Sequence, residues 1–436
     1  MGRCVQCIQK AVLWNIVMLA ILSIDTVFVL YFVVRYCIEK GKLKINHIFC
    51  VSLGYVYYGL IPFWCFESGI VFHNGGYQSL LMYYSQISRV NLIKYFILSF
   101  LMYVMFILGS RTAKRRFVIQ KRKASIRFSE QVLFPVVILL GLAILWLNRK
   151  FLFKGYNGIK NAYKGTLSAY VIMLFSIALM NFFAQRRTLH FTRRFFNKWG
   201  IAFTLFSVML LSMGGRLYVL TSIFAILVCY SCYHVNGISI RSFGKIFLGL
   251  ILAAGLIGVV RQGRAVYVKD VLFNILEEPL YCSFSLLTYL GNNEIDSWFT
   301  FPVILFSGLI NLVPTIIFPD KIKYIRSVFD LGREISSPLG GMHYFVSFTI
   351  DFGIVGSMLM FYVFGRITRV LCQEPELDLK KTIYCLICSY MTFGIYRDPI
   401  AISIVKDIIE FSIVIPVMVF CINQILFAYV KKEKRR

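Results

Sequence analysis

The chain has 436 residues, 58% hydrophobic and 17% aromatic, and its 47 Lys and Arg against 20 acids give a net charge of +27. Its mean hydropathy is +0.73, and apolar runs of about 17 to 22 residues, each long enough to cross roughly 30 Å of hydrocarbon, recur from end to end. That pattern excludes a string of soluble domains, a β-barrel built from short alternating segments and a basic nucleic-acid surface, because basic loops fix topology on the cytoplasmic side.

In chain order, the first apolar stretch, residues 11–34, is too long for the core of a cleavable signal peptide and is expected to be the first span. Further spans near 47–66 and 92–109 put the N-terminus outside. They lead to "RTAKRRFVIQKRKASIR" (111–127), with eight basic residues and no acid, an inside anchor by the positive-inside rule. A span near 131–148 then leaves and one near 167–184 returns, so the basic loop 149–165 lies outside. Residues 199–233, about 52 Å as one helix, are expected as two short spans turning outward at Gly214-Gly215-Arg216, where glycine tolerates a tight turn. A span near 243–260 exits at "GVVRQGRAVYV", which brings Arg261 and Arg264 to the outer face against the rule.

Counting back from the inside tail "KKEKRR" gives spans near 400–428, 382–396 and 343–365. Residues 261–343 then form one long outer region. It holds a further apolar helix, 299–318, either paired with a span near 272–291 or re-entrant. The sum is a single all-α transmembrane domain over 1–436, polytopic, with about 11 to 13 spans. The 12 cysteines include the i, i+3 pairs Cys4/Cys7, Cys229/Cys232 and Cys385/Cys388. With no His or carboxylate beside the latter two, they read as small apolar residues, not a metal site, and no cofactor is implied.

The outer face collects Arg216, Arg261, Arg264 and, in "LGREISSPLGGMHYF", Arg333, Glu334, His343 and Tyr344. Interfacial cations also snorkel to head groups on either side. Glycines beside guanidiniums, however, let backbone and fork approach a bulky anion together, and the fork matches phosphate oxygens. Arg216, Arg261 and Arg264 are therefore candidate ligands of a phosphate or pyrophosphate at the outer boundary, most simply a lipid head group. Glu334, His343, Glu278 and Asp351 are the acid–base candidates. Asp351 lies about two turns inside its span, where an acid needs a partner, Arg333 or Arg264 being expected. Neither a P-loop nor a D-x-D triplet is present, so a nucleotide-sugar donor is not expected.

The many-spanning plan with a late outer loop, "LVPTIIFPDKIKYIRSVFD" leading into "GREISSPLGGMHYFVSFTIDFGIVGSMLMFYVFGRI", and the upstream "GGR" turn and "RQGR" exit resemble the bacterial O-antigen polymerases, and more distantly the O-antigen ligases. The resemblance implies a metal-independent glycosyltransferase of the bacterial inner membrane that works on the periplasmic side. It would move a growing glycan from undecaprenyl pyrophosphate onto the next lipid-linked repeat unit. The same resemblance implies that Arg216, Arg261, Arg264 and Arg333 hold the pyrophosphate, that Tyr156, Tyr163 and Tyr344 face the glycan, and that a chain-length regulator is a further partner. Two other readings stand beside it. One is an O-antigen ligase. The other is a lipid-linked-sugar flippase or transporter, with Asp25, Lys94, Lys406, Asp407 and Glu410 lining its path.

Overall fold

The computed structural model describes residues 2–70, 72, 75–111, 130–152, 171–177, 179–180, 197–212, 215–233, 238–245, 247–249, 268–292, 295, 298–313, 317–331, 334–337, 340–372 and 379–433. Helix dominates, as long apolar runs require where backbone groups must find partners within their own segment. Among the described residues, four helical stretches are long and apolar enough to cross a bilayer: Trp14–Cys37, His47–Glu67, Arg89–Ser110 and Tyr344–Cys372. Shorter apolar helices cover Lys198–Ser212, Arg216–Cys232 and Val303–Leu312.

Polarity is arranged with the apolar groups outward. Val27, Tyr31, Leu139 and Ile425 are exposed, whereas Asp25, Ser99 and the rings of Tyr55, Tyr95 and Tyr103 are buried. Inside, the hydroxyls pair with one another, Ser52 Oγ lying 2.7 Å from Tyr103 Oη and Tyr55 stacking on Tyr103 at 4.9 Å. This is the distribution expected where the surrounding medium is as apolar as leucine.

The Arg89–Ser110 and Tyr344–Cys372 helices cross with their backbones in contact. A Cβ at Gly109 would strike the Tyr362 carbonyl, and one at Gly365 the Phe106 carbonyl. Small residues at such a crossing replace side-chain packing with close backbone approach. Near this end, a hairpin turning on Lys40 (φ 51) and Gly41 (φ 73), the positive-φ pair of a tight two-residue loop, joins Ile38–Glu39 to Lys42–Leu43. A third strand, Ile238–Ser239, completes a small antiparallel sheet. Ile45 N donates to Ser231 Oγ, and His47 meets Tyr384 Oη at 3.1 Å. Arg35, Lys40, Lys42, Lys44 and Lys381 thus gather at one end of the bundle.

The break expected in 199–233 is present. The Lys198–Ser212 helix ends with Gly215 N donating to the Leu210 carbonyl at 2.9 Å, and a new helix starts at Arg216. The 20-residue helix expected over 299–318 is absent. Helix runs only from Val303 to Leu312, because Val313 is extended, the conformation favoured before a proline, here Pro314. The Gly75–Gln86 helix is not among the expected spans.

The Tyr344–Cys372 helix is interrupted at Gly353, where φ is 71° and ψ 180°. Backbone from 298–300 docks into the break, with Val355 N on the Trp298 carbonyl at 3.0 Å and Thr300 N on the Phe352 carbonyl at 3.2 Å. A Cβ at 353 would lie 2.6 Å from the Trp298 oxygen, so only glycine fits both the φ and the approach.

Candidate functional site

The site is built on the turn between the Leu379–Arg397 helix and the π-helix Ala401–Val414. Pro399 follows Asp398 and ends the first helix, while its carbonyl accepts the amides of Ile402 and Ser403 at 2.8 Å. The turn is strapped to residues 341–347. Met342 N donates to the Arg397 carbonyl at 2.5 Å and Ile400 N to Ser347 Oγ at 3.0 Å. Gly341 permits the contact, since a Cβ there would lie 2.8 Å from Cys282 Sγ.

On this frame the Arg397 guanidinium is held between two acids. Its Nε pairs with Glu278 Oε1 from the Val268–Asn292 helix, and its Nη1 lies 3.3 Å from Asp398 Oδ1. The Arg397 and Glu278 side chains are 23% and 29% exposed, that of Asp398 only 8%. Burial raises the Asp398 carboxyl above its ordinary value, against the pull of Arg397. Tyr57 extends the group, donating its hydroxyl to the Ile275 carbonyl at 2.5 Å and interacting electrostatically with Glu278, Arg216 and Glu277. Tyr58 lies parallel to Tyr396 at 6.5 Å.

One turn into the π-helix, Lys406 Nζ approaches Tyr218 Oη at 3.3 Å over the rings of Tyr218 and Phe411. Tyr218 belongs to the helix that Arg216 begins, so the Gly-Arg turn and the 397–407 segment share one region of the bundle. Arginine, lysine and carboxyl groups that converge at a partly exposed patch can clamp a phosphate-bearing head group and offer a base beside it.

The sequence-derived residues fall into three groups. Arg216 and Glu278 both interact electrostatically with Tyr57. Arg261, Arg264, Arg333, Tyr156 and Tyr163 lie outside the described residues. The remaining four are Glu334, His343, Tyr344 and Asp351. Glu334 is exposed, in the stretch where Ser336 N donates to Thr288 Oγ1 at 3.1 Å.

His343, an acid–base candidate from the sequence, is enclosed. It is 0% exposed, with its amide on Ser285 Oγ at 2.9 Å, Nδ1 accepting from Phe345 N at 3.3 Å and Nε2 3.4 Å from Tyr95 Oη. The Tyr344 ring, expected to face a glycan, is instead enclosed by Tyr396, Phe361 and His343. Asp351 has backbone partners. Its carboxylate accepts the amides of Ile304 at 2.8 Å and Leu305 at 3.0 Å, capping the Val303–Leu309 helix across the chain; the expected arginine partners, Arg264 and Arg333, lie outside the described residues.

Arg397 and Asp398 were missed by the sequence reading. The signal is "YRDP", two charges and a helix-breaking proline between apolar runs, in the turn on the same side as residue 343. Of the charges assigned to a transport path, Lys94 is exposed and Asp25 is buried, with Tyr55 Oη 3.5 Å from its Oδ2. Cys229, Cys385 and Cys388 are free and buried, and among the described residues no three His, Cys, Asp or Glu side chains converge as a metal site. No family model, curated protein or solved structure matches the chain.

Proposed function

We propose that the chain is a polytopic glycosyltransferase of the bacterial inner membrane that polymerises lipid-linked oligosaccharide repeat units, the O-antigen polymerase reaction, at the periplasmic face. The observation that carries this reading is the Arg397 guanidinium held between Glu278 and Asp398, with Arg216 and Glu278 both acting electrostatically on Tyr57. They lie away from the sheet end, where Arg35, Lys40, Lys42 and Lys44 gather. By the positive-inside rule the sheet end is cytoplasmic, which turns the Arg397 cluster outward.

In this reading the guanidiniums of Arg216 and Arg397 stabilise the departing pyrophosphate in the role a metal plays elsewhere. The bond between the donor's anomeric carbon and the phosphate oxygen breaks. The acceptor hydroxyl oxygen bonds to that carbon, and its proton passes to a carboxylate. Undecaprenyl pyrophosphate leaves carrying the charge. Glu278 is the base best placed for this, since Asp351 is committed to helix capping and His343 to packing.

A flippase or transporter is the second reading, favoured by the buried acids Asp25 and Asp407. Lipopolysaccharide banding of a deletion strain separates the readings. A polymerase defect leaves single repeat units on lipid A core, a ligase defect leaves polymer on the carrier lipid, and a flippase defect traps repeat units on the cytoplasmic leaflet. Only the first result supports the proposal, and the complementing R216K chain must then shorten the ladder.

A further inference from the structure

The π-helix carries a carboxyl for which glycosyl transfer has no task. Asp407 is 1% exposed, and its Oδ2 has no hydrogen-bond partner. It packs against Gly394, where a Cβ would lie 2.6 Å from that oxygen, so the neighbouring helix is bare at the point where the carboxyl presses on it. Burying an ionised carboxylate without a donor is among the most costly arrangements a protein can hold.

The groups around it do not neutralise that oxygen. Arg397 and Asp398 from the turn, and Lys406 and Glu410 from its own helix, interact with Asp407 electrostatically, as does the Tyr390 phenol of the 379–397 helix. The Tyr218 phenol of the 216–233 helix interacts with it electrostatically too. The 303–312 helix, also packed here, has no titratable side chain. Lys406 is turned to Tyr218 and Phe411, and Arg397 is engaged by Glu278 and Asp398. Two fixed cations in range also make the place a poor one for a metal cation.

We propose that Asp407 is a proton-binding site, a buried carboxyl that takes up one proton from the face bearing the Arg397–Asp398 turn and gives it back there. The step is balanced without a co-reactant: one O–H bond forms on the carboxylate oxygen, and the charge goes from minus one to zero. π-Helical segments concentrate at functional sites, and carboxyls within membrane helices mark proton and ion paths. The inference does not depend on the glycan reading and would hold equally for a transporter.

The test uses the full-length protein in detergent and dicyclohexylcarbodiimide, which adds to protonated carboxyls in apolar surroundings, with peptide mass spectrometry to place the adduct. The expected result is an adduct on Asp407 that falls about tenfold per pH unit once the pH passes the site's midpoint and is unchanged by sodium chloride at fixed pH. Sodium protection would make the ligand a metal cation, and absence of the adduct at every pH would mean an ionised carboxylate; either overturns the proposal. Infrared spectra give a readout that needs no reagent to enter. The carbonyl band of a protonated acid, shifted in D2O, must be present in the wild type and reduced in D407N, and identical spectra would also overturn it. Should D407N fail to fold, the wild-type adduct map decides.

Discussion

Replacing Arg397 with Gln tests whether the charged cluster behaves as one unit. The substitution removes the cation from between Glu278 and Asp398, whose side chains are 29% and 8% exposed. Breaking a fully buried pair costs about 3–5 kcal/mol because the partner is left charged and unpaired, while an exposed pair is worth about 0–1. With Glu278 partly solvated and Asp398 nearly enclosed, R397Q is expected to cost ~2–3 kcal/mol. E278Q should cost ~1 kcal/mol, since Arg397 keeps Asp398. In the double variant the Glu278 contact is already gone, so the two effects should fall short of additivity by ~1 kcal/mol. Reversible unfolding in mixed micelles gives all four stabilities, and ladder length in complemented cells gives function. Strictly additive losses would refute the idea that these side chains share one network. An R397Q protein as stable as wild type would refute the burial argument itself.

Four further outcomes follow from the same geometry. R216K keeps the charge and loses the planar fork, so polymer yield should fall by on the order of tenfold at unchanged membrane insertion; full-length ladders would count against the clamp. G353A forces a Cβ toward the Trp298 oxygen at a positive φ, and should destabilise by ~2–4 kcal/mol in the same micelle assay. D351A removes both acceptors for the Ile304 and Leu305 amides, at ~1–2 kcal/mol, and those two amides should then exchange hydrogen faster than in wild type. Asp330 is held below its ordinary 3.8 by the Ser327 amide and hydroxyl. Its contribution is therefore present above pH 3.8 and lost as the pH falls through the lower folded value; in D330N, exchange at Ser327, corrected for its intrinsic rate, should lose that pH dependence.

The helical plan was legible because uninterrupted apolar runs have few other solutions, and Gly215-Arg216 showed its turn through glycine placed where a helix would have been too long. The 299–318 stretch misled for an instructive reason. Its hydropathy is that of a span, but Pro302 and Pro314 confine the helix, and residues 298–300 dock sideways into the gap that Gly353 opens. That pairing, like the cap from Asp351, joins positions roughly 50 residues apart and leaves no local trace. Arg216 and Glu278 could be chosen from chemistry alone. Arg397 could not, because a basic residue beside an acid at a helix end reads as a surface pair until the fold places Glu278 across from it.

The glycine crossing of the 89–110 and 344–372 helices anchors one end of an extended seam. The backbones meet at Gly109 and Gly365, and toward the other end Tyr95 packs on Phe345 at 5.1 Å and lies 3.4 Å from His343 Nε2. That second contact adjoins Met342, which is tied to the Arg397 carbonyl. A side chain at either glycine would force the backbones apart and tilt the whole seam. Substitutions at Gly109 or Gly365 are therefore expected to register in ladder length although they lie a membrane's thickness from the charged turn.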